Sequence, residues 1–261
     1  MNKTQIKEAA EILYRAGQEL DPVAALTEKY PQITLDDAYQ IQITNIDKKV
    51  SEGAKVVGKK IGLTSRAMQE MLGVPEPDYG HLLDNMVLEE ELPVKLSNLL
   101  QPKVEAEIAF ILKEELKGPG VTLSKVLQAT EGVMPAFEII DSRVKDWKIK
   151  IQDTVADNAS SAAVILGSRM IPVQEIDLKH AGLVLEKNGR ILDTAAGAAV
   201  LGHPAMAVAW LANKLAQYDI SLKPGEIILS GSLTKAYEVT GSDIFTATFG
   251  GLGLVKAVFA N

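Results

Sequence analysis

The sequence predicts an α+β fold, in which a mixed, largely antiparallel β-sheet follows an N-terminal layer of helices. Helical periodicity is concentrated before Gly53, and short apolar runs split by glycine and proline follow it. These strand-like runs outnumber the helices and do not alternate regularly with them, which argues against a doubly wound parallel sheet. We therefore expect an N-terminal helical layer over residues 1–53 and a β-rich domain over residues 54–261.

Two segments predict the helical layer. In residues 3–19, apolar side chains recur at helical spacing from Ile6 to Ala16. A second helix is predicted over residues 34–52, because acidic residues stand in its first turn and Gly53 follows its end.

The other elements are predicted from apolar runs bounded by turn residues. Asn188-Gly189 is a strong hairpin signal. A short helix is predicted over residues 65–72, and a longer one over residues 204–217 with proline in its first turn. The predicted strands are residues 55–61, 105–112, 133–140, 164–166, 181–187, 226–230, 243–248 and 254–259.

Composition excludes several classes of function. The 261 residues carry a formal net charge of −7 and no stripe of lysine and arginine, so no nucleic-acid partner is expected. The absence of cysteine excludes disulfides, thiol nucleophiles and cysteine-bound metals. No apolar run follows the basic N-terminal residues, and Gly202-His203-Pro204 interrupts the uncharged residues 195–212. We therefore expect a cytoplasmic protein without a membrane span.

The candidate metal ligands are three glutamates in apolar strands. Glu105 and Glu107 stand two residues apart in one predicted strand, so their side chains leave the same face. Glu138 lies in a second apolar strand. Buried carboxylates of like charge repel one another, and a bound divalent cation removes that conflict.

Oxygen ligands favour a hard cation, so the pattern predicts Mg²⁺, or Mn²⁺. The alternative, a solvated strand face that carries acids without a ligand, stays open on the pattern alone.

Two further segments suggest proton-transfer groups. Strand alternation sends Lys59 and Lys60 to opposite faces, so one of them can point inward, although a solvated strand end also explains the pair and stays the open alternative. Asp78 is a candidate base in Pro77-Asp78-Tyr79-Gly80, which we interpret as a turn that Asp78 could simply cap.

Two polar segments are candidates for substrate binding. Ser160 and Ser161 end a polar cluster that either lines a pocket or caps a turn. Ser230-Gly231-Ser232 follows a predicted strand, where backbone N–H groups can bind a carboxylate, although an ordinary turn is an equal alternative. His203 precedes a proline and is interpreted as a helix-cap residue, not as a metal ligand.

Taken together, these segments resemble the hydratase and decarboxylase family of aromatic meta-cleavage pathways, within the wider fumarylacetoacetate hydrolase fold. The resemblance covers nearly the whole chain. The segments that carry it are Val57–Ser65, Pro77–Gly80, Pro102–Phe110, Phe137–Arg143, Asp153–Ser160 and Ile228–Leu233.

The resemblance implies a β-sheet roll of the fumarylacetoacetate hydrolase type, with residues 54–261 as the catalytic domain. It implies that the three glutamates hold the metal, that Lys60 and Asp78 face the substrate, and that Ser160 lies in the pocket with a catalytic role. It also implies a small 2-oxo or 2-hydroxy acid as substrate. A homo-oligomer, often with fivefold symmetry, and an association with a related pathway enzyme are further expectations.

Within the family two activities compete: hydration of 2-hydroxypenta-2,4-dienoate and decarboxylation of 4-oxalocrotonate. Lys59-Lys60-Ile61-Gly62, residues 146–154 and Ser230-Gly231-Ser232 are hydratase-like, whereas Ser161 and Gly202-His203-Pro204 are more typical of the decarboxylase. The balance favours the hydratase.

Two other classes are also considered. A non-catalytic scaffold would lack a metal ligand, and a C–C hydrolase would want a histidine beside the metal. The segments meet neither condition. Arg143 is expected to pair with a nearby aspartate and not to bind substrate.

Overall fold

The computed structural model describes residues 1–65, 69–70, 73–90 and 92–261. The predicted helix over residues 65–72 falls largely on positions outside this set. The helices with described bounds are α1 (Lys3–Glu19), α2 (Leu26–Lys29), α3 (Leu35–Ser51), α4 (Leu123–Ala129), α5 (Ile151–Ala156) and α6 (Pro204–Leu215).

Strands dominate the chain after α3. They are β1 (Val56–Gly62), β2 (Asp78–Leu83), β3 (Val87–Leu88), β4 (Val94–Lys95), β5 (Lys103–Leu112), β6 (Thr130–Ile140), β7 (Ser161–Leu166), β8 (Ile171–Pro172), β9 (Gly182–Lys187), β10 (Arg190–Ala196), β11 (Ile227–Leu229), β12 (Tyr237–Glu238), β13 (Ile244–Phe249) and β14 (Gly253–Ala260).

The strands form two sheets. The larger sheet has the order β2-β1-β11-β5-β6-β7-β3, with β12 paired to β5 and β8 paired to β6. The smaller has the order β10-β9-β13-β14-β4. Among the described residues, only β1–β11, β3–β7 and β4–β14 pair in parallel. The predicted mixed, largely antiparallel α+β fold is therefore confirmed.

The two sheets pack through aromatic side chains. Phe137 of β6 meets Phe245 of β13 edge to face, with ring centroids 6.5 Å apart, and Phe245 meets Phe259 of β14 at 6.0 Å. All three rings are buried. Such pairs favour this geometry because the positive ring edge meets the negative ring face.

The central strands β5 and β6 are buried on both faces. On one face of β5, Val104, Ala106, Ile108 and Phe110 have no exposed surface and belong to the main core. The other face carries the glutamates and then Ala109, which joins a second apolar cluster. The carboxylates therefore stand inside the protein.

The N-terminal helices begin and end as their sequences predict. Asn2 caps α1, and Thr34 accepts a hydrogen bond from the backbone N–H of Asp37 at the start of α3. Apolar residues of both helices belong to the main core. The division at residue 53 into two separate units stays a prediction.

Several elements differ from the expectation. Residues 78–83 form a fully buried strand that pairs with β1, so the prediction of a turn at Asp78 was wrong. Proline and glycine give this segment a turn-like composition, but long-range pairing decides its conformation. The hairpin turn at Asn188-Gly189 is confirmed, with φ values of 54° and 74°. The short helices α4 and α5 were not predicted.

Within the described residues, none of the helices combines the length and apolarity needed to cross a bilayer. The uncharged stretch before residue 212 is instead the end of β10, a loop and the buried helix α6. His203 is the N-cap of α6, and its Nδ1 accepts a hydrogen bond from the backbone N–H of Ala205. The helix-cap interpretation is confirmed.

Candidate metal centre and substrate pocket

The structure brings together the carboxylates of Glu105, Glu107 and Glu138. Glu105 and Glu138 stand directly opposite each other in the β5–β6 pairing, and Glu107 follows on the same face. One oxygen from each residue lies within 4.8 Å of the others. This spacing suits three ligands of one cation.

These carboxylates lack the partners that buried oxygens normally have. Among the described residues, Glu107 Oε1 and both oxygens of Glu138 have no hydrogen-bond donor. Burial raises the pKa of all three glutamates, that of Glu105 to about 7. Repulsion from neighbouring glutamates adds to the rise at Glu105 and Glu107, Asp78 adds to it at Glu138, and Lys60 opposes it at each. Unpartnered buried carboxylate oxygens with raised pKa values fit the donor set of a divalent cation.

Lys60 is the cation beside this cluster. Strand β1 points its side chain inward, where its ammonium lies 3.2 Å from Glu138 Oε2, at ion-pair distance but without good hydrogen-bond geometry. It also donates a hydrogen bond of 3.2 Å to the carbonyl of Ala159. Burial would lower the pKa of Lys60, but Glu138, Asp78 and the other carboxylates raise it above its usual value. Lys60 is therefore held in its charged form.

The side chain of Lys59 points to the opposite face of β1 from that of Lys60, as strand alternation predicts. Its ammonium lies 2.8 Å from Glu226 Oε1, and both side chains are largely buried. The idea of a solvated strand end is thus wrong for both lysines. Lys59 has a structural partner away from the acid cluster.

Asp78 begins β2 directly opposite Gly62, at the end of β1. Its side chain is buried, and Oδ1 has no donor among the described residues. A Cβ at Gly62 would lie 2.1 Å from Asp78 Oδ1 and 3.4 Å from Lys60 Nζ, so glycine permits the two charged groups to approach. Burial raises the pKa of Asp78, while Lys60 opposes the rise.

Ser160 belongs to a strained segment. Asn158, Ala159 and Ser160 have φ values of 57°, 49° and 55°, in the left-handed region that residues with a Cβ rarely occupy. Ser160 is buried, and its hydroxyl lies 3.3 Å from Thr154 Oγ1. Ser161 starts β7, and its buried hydroxyl has no partner in the described part of the chain. The segment thus reverses the chain direction and also contributes Ala159 and Ser160 to the lining of the pocket.

The turn Ser230-Gly231-Ser232 closes the other side of the glutamates. The backbone N–H of Gly231 donates a 2.8 Å hydrogen bond to Glu107 Oε2. The turn therefore does bind a carboxylate, but that of Glu107. The hydroxyls of Ser230 and Ser232 are buried and have no partner among the described residues, so they can take a ligand.

A cavity of ≈ 250 Å³ lies beside this cluster, and Ser232 lines it, whereas Glu107, Glu138, Ser161, Ser230 and Gly231 do not. Its lining includes Lys60, Asp78, Glu105 and Ser160, together with residues that the sequence did not single out. The lining residues that were not named as site candidates are Gly62, Leu63, Thr64, Ser65, Lys103, Ile140, Trp147, Ile149, Thr154, Ala159, Thr234, Lys235 and Ala236.

One of these residues, Lys103, could have been found. It stands two positions before Glu105 on the same face of β5, and its ammonium lies 4.6 Å from the ring centroid of Trp147. Trp147 reaches the cavity from a distant loop, for which the sequence offers no local signal. Arg143 pairs with Asp157, as expected, and does not line this cavity.

Comparisons with known proteins agree with this geometry. The family described as "Fumarylacetoacetate (FAA) hydrolase C-terminal" matches residues 66–260. A 2-hydroxyhexa-2,4-dienoate hydratase of Comamonas testosteroni is 45% identical over 260 residues, which cover 99% of this chain and 98% of the relative. A 2-hydroxypent-2,4-dienoate hydratase of Pseudomonas putida is 49% identical over 223 residues, or 85% of this chain and 100% of the relative.

A solved structure is similarly close. The 4-oxalocrotonate decarboxylase of Pseudomonas putida G7, complexed with magnesium and adipate, superposes with a TM-score of 0.97. It is 40% identical, and the match covers 99% of this chain and 98% of that protein. Relatives with both activities thus share the fold of this chain.

Proposed function

Because the chain belongs to the fumarylacetoacetate hydrolase family, we propose that it is a metal-dependent lyase that hydrates 2-hydroxypenta-2,4-dienoate to 4-hydroxy-2-oxopentanoate. One observation carries the proposal: three carboxylates, two of them fully buried, converge beside Lys60 at the edge of a cavity sized for a small acid. The hydratase relatives provide the reaction, and the cavity accounts for the small substrate.

The donor set fits a divalent cation. Glu105, Glu107 and Glu138 provide only oxygen atoms, and several of these oxygens are buried without a donor in the described part of the chain. Hard cations such as Mg²⁺ or Mn²⁺ prefer such ligands. The related decarboxylase was solved with magnesium, which supports the same choice here. When bound, the cation would act as a Lewis acid toward negative charge on the substrate's C2 oxygen.

Lys60 and Asp78 are the groups we assign to proton transfer. In the proposed reaction, the 2-hydroxyl of the dienol loses a proton and C5 takes one. The oxygen of water then adds at C4 and loses a proton, and C3 takes one, so that the net change is the addition of one water. Both side chains are buried and face the cavity, so they can hold or pass a proton away from bulk solvent. Ser160 lies beside them and can orient the added water or the substrate through its hydroxyl.

One of the remaining hydroxyls suits substrate binding. The hydroxyl of Ser232 lines the cavity and lacks a partner among the described residues, so it can donate to a substrate oxygen without breaking an existing bond. The predicted substrate contacts of Ser161 and Ser230 stay proposals, because neither residue lines the cavity. Gly231 contributes differently, because its N–H already holds Glu107 in place.

Decarboxylation of 4-oxalocrotonate is the second candidate. That substrate has two carboxylates, and the second needs a cation, since burying it unpaired would cost several kcal/mol. Lys103 and Lys235 both line the cavity and could serve it. The sequence analysis expected Arg143 not to bind substrate and did not single out these two lysines.

Parallel assays with Mg²⁺ separate the two activities. We expect kcat/KM for hydration of 2-hydroxypenta-2,4-dienoate to exceed that for decarboxylation of 4-oxalocrotonate at least about tenfold, or about 1.4 kcal/mol. Faster release of carbon dioxide from 4-oxalocrotonate would instead assign the decarboxylase activity and leave the metal site unchanged.

We further propose a homo-oligomer, in which the outer face of the smaller sheet docks on a second copy. Val184, Ile191 and Leu254 are exposed on this face, Ile191 and Leu254 by 69% and 51%. Glu186 and Lys256 flank Thr246 in register and form no ion pair within the described residues. A twofold axis along β13 would bring Glu186 of one copy opposite Lys256 of the other.

Light scattering tests this face. Lys256→Glu should dissociate the oligomer, the double variant with Glu186→Lys should restore it, and Lys125→Glu on another surface should change nothing. A monomeric wild type, or no response to either charge change, would refute the proposal. Association with a related pathway enzyme and a cytoplasmic location stay predictions from the sequence.

A further inference from the structure

Gln42 is a fully buried polar residue in α3, outside the region matched by the family. We infer that Gln42 and Asn158 form a clamp on β2 that positions Asp78 and Lys60 for the proposed proton transfers. Gln42 is thus a positioning residue contributed by the N-terminal layer. The inference rests on the proposed function for its kinetic consequence, but the clamp itself has contacts of its own.

The carboxamide of Gln42 joins two segments of the site. Its Nε2 donates hydrogen bonds to the carbonyl of Tyr79 at 3.1 Å and to the carbonyl of Val155 at 2.8 Å. Tyr79 directly follows Asp78 in β2, and Val155 lies at the end of α5, before the strained segment. One side chain therefore holds the strand of Asp78 against the segment that leads to Ser160.

These contacts also fix the orientation of the amide. Only the NH₂ group can donate to two carbonyls, so Oε1 faces His81 Nδ1, 3.0 Å away. His81 must then carry its proton on Nδ1 and donate it to Gln42. All hydrogen-bonding atoms of the Gln42 amide are used, so the residue cannot turn without losing bonds.

Asn158 binds the same edge of β2, two residues further along the strand at His81. The backbone N–H of His81 donates to Asn158 Oδ1 at 2.7 Å, and Asn158 Nδ2 donates to the carbonyl of His81 at 2.9 Å. The amide thus takes the place of a neighbouring strand. A Cβ at Gly80 would lie 2.4 Å from the carbonyl oxygen of Asn158, so the two backbones are in close contact.

The pairing of β2 with β1 connects the clamp to Asp78 and Lys60. Lys60 pairs with Gly80, and Gly62 pairs with Asp78, so a shift of β2 moves Asp78 relative to the Lys60 ammonium. Lys60 also donates to the carbonyl of Ala159, which follows Asn158. The glutamates stand on β5 and β6, which Gln42 does not contact through a hydrogen bond. Loss of the clamp should therefore affect proton transfer more than metal binding.

The experiment compares Gln42→Met with Gln40→Met. Both replace a glutamine of α3 by a side chain of similar size, but Gln40 is exposed. We expect Gln42→Met to lower kcat about 10- to 100-fold, because small misplacements of catalytic groups have effects of this size. Its Mg²⁺ affinity by calorimetry should stay within about twofold of wild type, and Gln40→Met should match wild type in both.

Hydrogen exchange provides a readout that does not depend on the reaction. Backbone amides in residues 58–62 and 78–83 should exchange faster in Gln42→Met, whereas those of β5 should not. A wild type that does not hydrate the dienoate would refute the proposed function, while the exchange data would still test the clamp. Unchanged exchange in β1 and β2 would overturn the clamp itself.

Asn158→Gly removes the second residue of the clamp, and this test does not require Gln42→Met to fold. Glycine removes the amide and tolerates the left-handed backbone at this position. Asn158→Gly should lower kcat over a similar range, and its combination with Gln42→Met should lower kcat less than the product of the two effects. Unchanged kcat in Asn158→Gly, or strictly multiplicative effects, would contradict a shared clamp.

Discussion

Replacement of Glu107 by glutamine should change stability in opposite directions with and without metal. The variant Glu107→Gln keeps the shape of the side chain and the acceptor for the N–H of Gly231. It removes one of three carboxylates whose oxygens lie within 4.8 Å of one another. At that distance and an effective dielectric constant of about 20, each pair of ionised carboxylates repels by about 3 kcal/mol.

Part of this repulsion is already relieved by protonation, because burial raises the pKa values of the glutamates. We therefore expect the metal-free variant to be more stable than metal-free wild type by about 1–3 kcal/mol, with a Tm higher by several degrees. When Mg²⁺ is present, the stability advantage of Glu107→Gln over wild type should shrink or reverse. An affinity loss of about 10²-fold would remove most of the roughly 2.7 kcal/mol that wild type gains at a hundredfold excess over Kd.

Calorimetry of Mg²⁺ binding and thermal unfolding with and without Mg²⁺ measure both effects. Glu131→Gln, a change at an exposed position of β6, is a control that should alter neither. Unchanged Mg²⁺ affinity together with unchanged metal-free stability in Glu107→Gln would falsify the assignment of Glu107 to a metal site.

Further predictions follow from Lys60 and His81. Lys60→Ala should lower the kcat of the folded protein about 10²-fold or more. Lys59→Ala removes the ion pair with Glu226, so it should lower stability but leave the kcat of the folded molecules unchanged. Equal losses of kcat in the two variants would contradict these roles. Burial, with a smaller effect of Lys59, lowers the pKa of His81 to about 4, so the unfolded chain binds more protons than the native one below pH 6.5. As the pH falls from 7 to 4, the free energy of unfolding of wild type should fall by about 3 kcal/mol relative to that of His81→Asn. Urea unfolding measures both proteins, and a difference between them that does not change with pH would refute this prediction.

Local periodicity was enough to single out the three glutamates as candidates, but the choice of Lys60 over Lys59 came from the family resemblance. Alternation places Glu105 and Glu107 on one face of β5, and it separates Lys60 from Lys59. It could not show that Glu138 stands opposite Glu105, because the register of two strands depends on contacts across the sheet.

Other parts of the site depend on long-range contacts. Asp78 looked like a turn residue until pairing with β1 made it part of a strand. Gln42 is separated from its partners Tyr79 and Val155 by 37 and 113 residues. A glutamine in a helix carries no sign of burial in its sequence, since most are solvated. Such residues emerge only when the packed structure shows where their amides point.

The most direct measurement is turnover of 2-hydroxypenta-2,4-dienoate by purified protein, first after exhaustive chelation and then after addition of Mg²⁺ or Mn²⁺. Hydration to 4-hydroxy-2-oxopentanoate should disappear in the chelated protein and return with either cation, because the carboxylates of Glu105, Glu107 and Glu138 converge and those of Glu107 and Glu138 have unpartnered buried oxygens. Full hydration by the metal-free protein would contradict the central claim.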